Sequence, residues 1–260
     1  MAYHETNIQK IRKLISNPKG NANKIIPFLK SKLVPYQRDL YEFFGSEKYS
    51  HPYSGHEALL KYVNKNNGFF VQCGGHEGYS NDPSYYLEKF KGWRGIIAEP
   101  LPPLSKICQK NRRRSEVVQS ACVSFAYPEK TVSFIDCSAM SFVKGSIEDS
   151  SSWIKASESC QDIKCREIIV PAKTIQSIID EQALAKGKVA IDLFIADVEG
   201  YELEVLQGLD FSKNSPAYIL VEIQNNAKLQ KISDFLIPQG YKLLEQIGEN
   251  DALFIKNNEQ

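Results

Sequence analysis

From residue 68 onward, short apolar runs alternate with segments of helical spacing, and few soluble folds accommodate that pattern. "GFFVQC" (68–73), "RGIIAE" (94–99), "EVVQSACV" (116–123), "IDLFIAD" (191–197) and "AYILVEI" (217–223) are the main runs. Runs of this kind read as strands buried on both faces. Helical patterns lie between and after them: at 84–90, at 104–113, from Thr174 through Ile175, Ile178 and Ile179 to about Gly187, at 202–209, and through Leu229, Ile232, Phe235 and Leu236. Alternation of strand and helix predicts a parallel sheet with helices on both faces. Right-handed crossovers make it doubly wound. The closing segment, "YKLLEQIGENDALFIK", reads as two strands joined by a turn at 248–251, which puts one antiparallel strand at an edge. "TVSFIDC" (131–137) reads as an extra hairpin strand, and 145–165, rich in Ser and Glu, shows no firm pattern.

Ahead of this lies an expected N-terminal helical extension, residues 1–55, leaving 56–260 as the main domain. Ile8, Ile11, Leu14 and Ile15 keep helical spacing, as do Ile25, Ile26, Leu29 and Leu33, with Asn17, Pro18, Gly20 and Asn21 breaking the two apart. The N-terminal stretch is polar and amphipathic rather than a signal peptide, and no window of about 18 apolar residues occurs. The expectation is a cytoplasmic protein. A net charge of +1 argues against nucleic acid as a partner. The cluster Lys110, Arg112, Arg113 and Arg114 reads as a solvated helix end. The six cysteines, Cys73, Cys108, Cys122, Cys137, Cys160 and Cys165, show no paired spacing for zinc or a disulfide framework, so reduced thiols are expected.

The chemistry concentrates where the first strand ends, at "FFVQCGGHEGYSNDP" (69–83). Gly74, Gly75 and Gly78 permit a sharp turn and close approach to main-chain N–H groups. A dinucleotide fingerprint, G-x-G-x-x-G, fails because Cys73 occupies its first glycine position. The next helix starts late, with Asn81 and Asp82 as caps and Pro83 in its first turn, and Glu77 inside the loop would repel phosphate. Glu99 ends the second strand, 21 residues after Gly78, where a carboxylate accepts hydrogen bonds from the hydroxyls of a ribose. A glycine loop without phosphate provision, together with a ribose-binding acid, points to S-adenosylmethionine: a nucleoside with an amino-acid tail and a sulfonium, and no phosphate. The alternative is that the glycines only close a turn and Glu99 is a surface acid.

These residues resemble the FkbM-type methyltransferases, a branch of the class I S-adenosylmethionine-dependent enzymes. The resemblance spans roughly 68–257 and rests on "FFVQCGGHEGYSNDP", "GWRGIIAEP" and "ADVEGYELEVLQGLDF", in that order. It implies a Rossmann-like, seven-stranded sheet with a reversed last strand, and methyl transfer typically to a hydroxyl oxygen. Gln72 matches the first polar position of the family's loop, while Gly75, His76 and Glu77 replace its commoner residues. Glu99 with Pro100 matches the ribose-binding acid. The cofactor-binding residues expected are thus Gln72, Gly74, Gly75, His76, Gly78, Asn81, Glu99, Pro100 and Asp197.

A second acidic turn, "ADVEGYE", follows the fourth strand. An extended tip would point Asp197 and Glu199 to one side, and Gly200 allows the turn into the next helix. A hydroxyl becomes a competent nucleophile when a placed base takes its proton. Asp197 is the first candidate for that base, Glu199 the second and His76 the third. Either turn acid could instead cap the following helix. A divalent cation on Asp197 and Glu199, with Glu222 assisting, is weakly suggested by spacing, and no metal is expected. The acceptor expected is a small molecule or carbohydrate. A binding or scaffold protein that keeps the fold without catalysis is the alternative.

Overall fold

The computed structural model describes residues 53–186, 190–248 and 250–257. The helices expected in residues 1–52 lie outside the described residues. The chain runs through α1 (His56–Leu60), β1 (Phe69–Cys73), α2 (Tyr85–Lys91), β2 (Arg94–Ala98), α3 (Pro102–Asn111), β3 (Glu116–Val118), β4 (Ala121–Val123), β5 (Thr131–Asp136) and β6 (Phe142–Val143). It continues through α4 (Ser150–Gln161), β7 (Arg166–Thr174), α5 (Ile175–Lys186), β8 (Leu193–Ala196), α6 (Glu202–Leu206), β9 (Tyr218–Glu222), α7 (Asn226–Leu236), β10 (Tyr241–Ile247) and β11 (Asp251–Lys256).

Seven strands form one sheet in the order β10-β11-β9-β8-β1-β2-β3. β1, β2, β3, β8 and β9 pair in parallel, and β11 runs antiparallel to both β9 and β10. The doubly wound, mostly parallel architecture and its reversed last strand are as the sequence predicts. The reversed strand is not at the edge, however. β11 inserts between β9 and β10, because the hairpin folds back so that its second strand meets the sheet first.

The two-sided burial behind the apolar runs follows from strand alternation. In β1, Phe70 packs into the core beneath Trp93 and Leu87, while Val71 and Cys73 pack into the opposite core with α5, α6 and α7. In β8, Leu193 and Ile195 face the first core, and Phe194 and Ala196 the second. All of these side chains are buried, each stabilising the fold by about 1.5–3 kcal/mol relative to exposure.

The run at 116–123 is not one strand. It breaks at Gln119 and Ser120, so β3 closes the edge of the large sheet and β4 enters a second sheet of order β4-β7-β5-β6. The expected hairpin strand at 131–137 is β5 of this second sheet, paired with β6 and β7. Helix α4 and strand β7 carry weak signals. Helix α4 is serine-rich, though Asp149 caps it by accepting a hydrogen bond from the Ser152 N–H at 3.1 Å. Strand β7 contains Pro171 and is mostly solvent-facing.

Two further expectations are corrected. Cys137 and Cys165 form a disulfide across 28 residues, tying the end of β5 to the segment entering β7. Cys73, Cys108, Cys122 and Cys160 are free. The basic cluster after α3 is also not uniformly solvated. Arg112 is buried, with its guanidinium 2.6 Å from Asp82 and 3.0 Å from Glu88.

Candidate functional site

β1 lies between β2 on one side and β8 on the other. The chain therefore reverses its winding direction at β1, and a crevice opens beyond the carboxyl ends of these strands. A cavity of about 360 Å³ occupies it, within the range of small-molecule sites. Gln72, Gly74, Gly75, His76, Asn81, Glu99, Pro100, Asp197 and Glu199, all predicted site residues, line it. Gly78 does not.

The glycines answer to the protein's own packing. Gly74 has φ +85°, and a Cβ there would run into the Asp197 carbonyl. A Cβ at Gly75 would meet the Ile97 side chain. Gly78, at φ +75°, would place a Cβ 2.7 Å from Arg112 and 2.8 Å from Cys108 Sγ. Small residues here let the loop sit down on β8, β2 and α3, and Gly74 and Gly75 line the cavity with backbone alone. Gly78 belongs to the packing of α3 rather than to the cavity.

Gln72 and Asp82 brace this loop from below. Gln72 donates from Nε2 to the Gly74 carbonyl at 3.0 Å and accepts from the Ser84 hydroxyl. Asp82 Oδ1 accepts from the N–H groups of Ser84 and Tyr85, at 2.8 and 3.1 Å, so Asp82 caps α2 and Pro83 precedes the helix. Asn81 is exposed at the rim in a left-handed conformation, φ 51°.

Glu99 is 4% exposed. Its Oε2 accepts from the His76 N–H at 2.7 Å, its Oε1 from the Leu101 N–H at 2.8 Å, and the Gly75 N–H adds a third bond. Burial pushes its pKa up to about 7, against the pull of those N–H groups. An ionised carboxyl offers about four lone-pair positions, so about one remains for a ligand on the cavity side. His76, φ 45°, faces Glu77 through Nδ1, and its Nε2 is buried with no partner. Burial lowers its pKa, favouring the neutral ring.

At the end of β8 the tip is not extended as expected: Glu199 sits at φ 53° and Gly200 at φ +97°. The acids still converge. Asp197, Glu199 and Glu222 each bring a carboxylate oxygen to within 4.8 Å of the others. Burial raises all three pKa values, and like charge adds to it: Asp251 and Glu202 act on Asp197, Asp197 and Glu202 on Glu199, and Asp197 and Glu199 on Glu222. Three like charges this close cannot all ionise cheaply, so the cluster titrates as a unit and retains a proton near neutrality. Hard cations accept such oxygens. Neither candidate caps α6. The buried Glu202 instead braces the turn ahead of α6, its Oε1 accepting from Gly200 N–H at 2.7 Å and Val198 N–H at 3.3 Å. Lys228, 3.9 Å from Glu202, is the cation that partly offsets the group.

The sequence named no residue of the far wall. Phe134, Val143 and Ala121 of the second sheet, the Ser138–Met140 turn between β5 and β6, and Leu104 of α3 line the cavity. Leu101, Ala121, Phe134 and Val143 form one apolar cluster with Leu104 packed against it. The 138–140 turn is held by the Cys137–Cys165 disulfide, by Trp153 Nε1 donating to the Met140 carbonyl at 3.0 Å, and by Gln161 Nε2 donating to the Cys137 carbonyl at 3.0 Å.

The profile described as the methyltransferase FkbM domain matches residues 72–243. No curated protein matches the chain. Among solved structures, similarity is found to a precorrin-6y C5,15-methyltransferase from Geobacter metallireducens, at 11% identity over 77% of this chain and 85% of that one, TM-score 0.40. A methyltransferase from Pyrococcus furiosus shares 13% identity over 87% of this chain and 98% of that one, TM-score 0.43.

Proposed function

The chain belongs to the FkbM methyltransferase family and is an S-adenosylmethionine-dependent methyltransferase, and on that premise we propose that its crevice directs the methyl group to a hydroxyl oxygen of a small molecule or glycan. The observation that carries this reading is the acid cluster at the end of β8 and β9, in the same cavity as Glu99. The cavity fits the cofactor: it joins a buried carboxylate with a lone pair to spare, a wall of side-chain-free backbone at Gly74 and Gly75, and an apolar slot at Leu101, Leu104, Ala121 and Phe134. When bound, S-adenosylmethionine supplies an electrophilic methyl group on a sulfonium.

This chain's residues supply the rest. Glu99 holds a ribose hydroxyl. The apolar slot takes the purine. Pro100 and Asn81 border the nucleoside side of the crevice. Asp197, at the strand end, takes the acceptor's hydroxyl proton on a carboxylate oxygen. Burial, reinforced by the neighbouring Asp251 and Glu202 carboxylates, keeps its pKa above the ordinary carboxylate range, which matches it to base work near neutral pH. His76, neutral and with Nε2 free, is a second hydrogen-bonding group on the same wall.

Asp197→Asn tests the base directly. Turnover should fall by about 10²–10⁴-fold, with affinity for S-adenosylhomocysteine kept within a few-fold. Products are found by supplying extracts with methyl-labelled cofactor, with and without the protein, and locating the label by mass spectrometry. Label on nitrogen or carbon removes the O-methylation reading. Failure to bind S-adenosylhomocysteine at all would favour a non-catalytic role for the fold.

A further inference from the structure

At the amino ends of the same strands, opposite the crevice, a second cavity of about 1140 Å³ is lined by the start of β1, the start of β2, the turn ahead of β3 and the loop ahead of β9. Its charged lining is mostly cationic: Arg94, Arg113, Arg114 and Lys213, against Glu116 and Asp180. Lys213 and Asp180 face each other at 3.7 Å. Among the described residues, no carboxylate pairs with the side chain of Arg94, Arg113 or Arg114.

The local carboxylates are already committed. Asp82 and Glu88 hold Arg112, and Glu88 also accepts from the Arg114 N–H at 3.0 Å and from the Ser115 hydroxyl. With Arg112 turned inward, Arg113 and Arg114 are left exposed on the other side of the turn. The β2–β3 register pairs Ile96 with Glu116, so Arg94 and Arg114, each two residues ahead, come to the same end of neighbouring strands. The Arg114 guanidinium lies over Gly92, 3.6 Å from where a Cβ would be. Unpaired guanidinium groups gathered in one concavity repel one another, and an anion between them turns that repulsion into attraction. Planar guanidinium forks match phosphate oxygens in pairs.

We propose that this cleft is a second binding site, separate from the methyl-transfer crevice, for a phosphate-bearing ligand whose oxygens are taken by Arg94, Arg113 and Arg114. The cavity exceeds what a lone phosphate needs and suits a phosphate ester of nucleotide or sugar size.

The test uses the full chain, with tripolyphosphate as probe in isothermal titration at about 0.15 M salt. Titrations are run with and without saturating S-adenosylhomocysteine. One site should be seen in both cases. In Arg94→Ala/Arg114→Ala, whose changed side chains are exposed, binding should weaken by at least about tenfold, with S-adenosylhomocysteine affinity unchanged. A parallel arm measures co-sedimentation with vesicles of phosphatidylcholine with or without phosphatidic acid. Capture by phosphatidic acid that the double variant abolishes assigns the phosphate to a lipid headgroup. Tripolyphosphate binding without vesicle capture assigns it to a soluble ligand. Absence of binding in both arms, binding undiminished in the double variant, or displacement by S-adenosylhomocysteine overturns the proposal.

Discussion

Glu99→Gln separates two roles of one carboxylate. Three of its about four lone-pair positions serve the N–H groups of Gly75, His76 and Leu101, leaving about one for the cofactor. Losing one hydrogen bond to a charged acceptor costs about 1.5–3 kcal/mol, so S-adenosylhomocysteine affinity should drop roughly 10- to 150-fold. Stability should respond differently. Burial raises Glu99 from 4.5 to about 7, and keeping the charge buried above that pH costs about 3 kcal/mol. The sign follows from linkage: the stabilising contribution of a raised carboxyl is complete below its unfolded pKa and disappears as pH climbs through the folded one. A glutamine escapes that cost but turns an NH₂ toward a buried N–H, a mismatch of about 1–3 kcal/mol. The two nearly cancel at pH 8, so the variant's melting temperature should lie close to wild type there and below it at pH 5. Calorimetry gives the affinity and thermal melts at the two pH values give the stability. Affinity within about threefold of wild type, with a stable fold, refutes the ribose role. A variant equally destabilised at both pH values refutes the buried-charge account.

Gly74→Ala should destabilise the fold by more than about 2 kcal/mol, since alanine at a left-handed φ is strained and its Cβ meets the Asp197 carbonyl; a chemical melt matching wild type would contradict this. Arg112→Met strands Asp82 and Glu88 without their counter-charge and should cost about 3–5 kcal/mol, with partial recovery when Glu88→Gln is added. Glu99, Asp197, Glu199, Glu222 and Asp251 are all raised, chiefly by burial. The ligand-free protein should therefore melt at lower temperature as pH rises from 5 to 8. His76 is shifted down and opposes this trend as a single group; a melting temperature that climbs across the window would count against the acid cluster.

The large sheet was legible because strands buried on both faces leave no choice of residue: Phe70, Val71, Phe194, Ile195 and Leu220 are apolar whichever way they point. The crevice was legible for a related reason. Glycine is the only residue at Gly74 and Gly75 compatible with the approach of β8 and β2, and Glu99 is an acid directly after a buried run. The expected reason for the glycines was ligand access, and the structure shows packing against Asp197 and Ile97 first. The second sheet was obscure because its strands face solvent on one side. Strand β7 mixes Arg166, Glu167 and Pro171 with only two buried residues, Val170 and Ala172. Arg112 was misread because its partners, Asp82 and Glu88, lie 30 and 24 residues away in sequence, and charge runs carry no sign of which member turns inward. The Cys137–Cys165 bond was missed for the same reason: its partners are neighbours only across the β5–β7 pairing.

Gln119 and Ser120 are the whole passage from one sheet to the other. One side of the crevice is thus built by β1, β2, β8 and β9, and the opposite side by an excursion that leaves after β3 and is back at α5. A lineage could lengthen, shorten or redecorate that excursion and present a new face to a new acceptor, while the strand ends holding Glu99 and Asp197 stayed untouched. Diversity of substrates within such a scaffold would then accumulate between residues 121 and 174, and comparisons of acceptor preference are best made there.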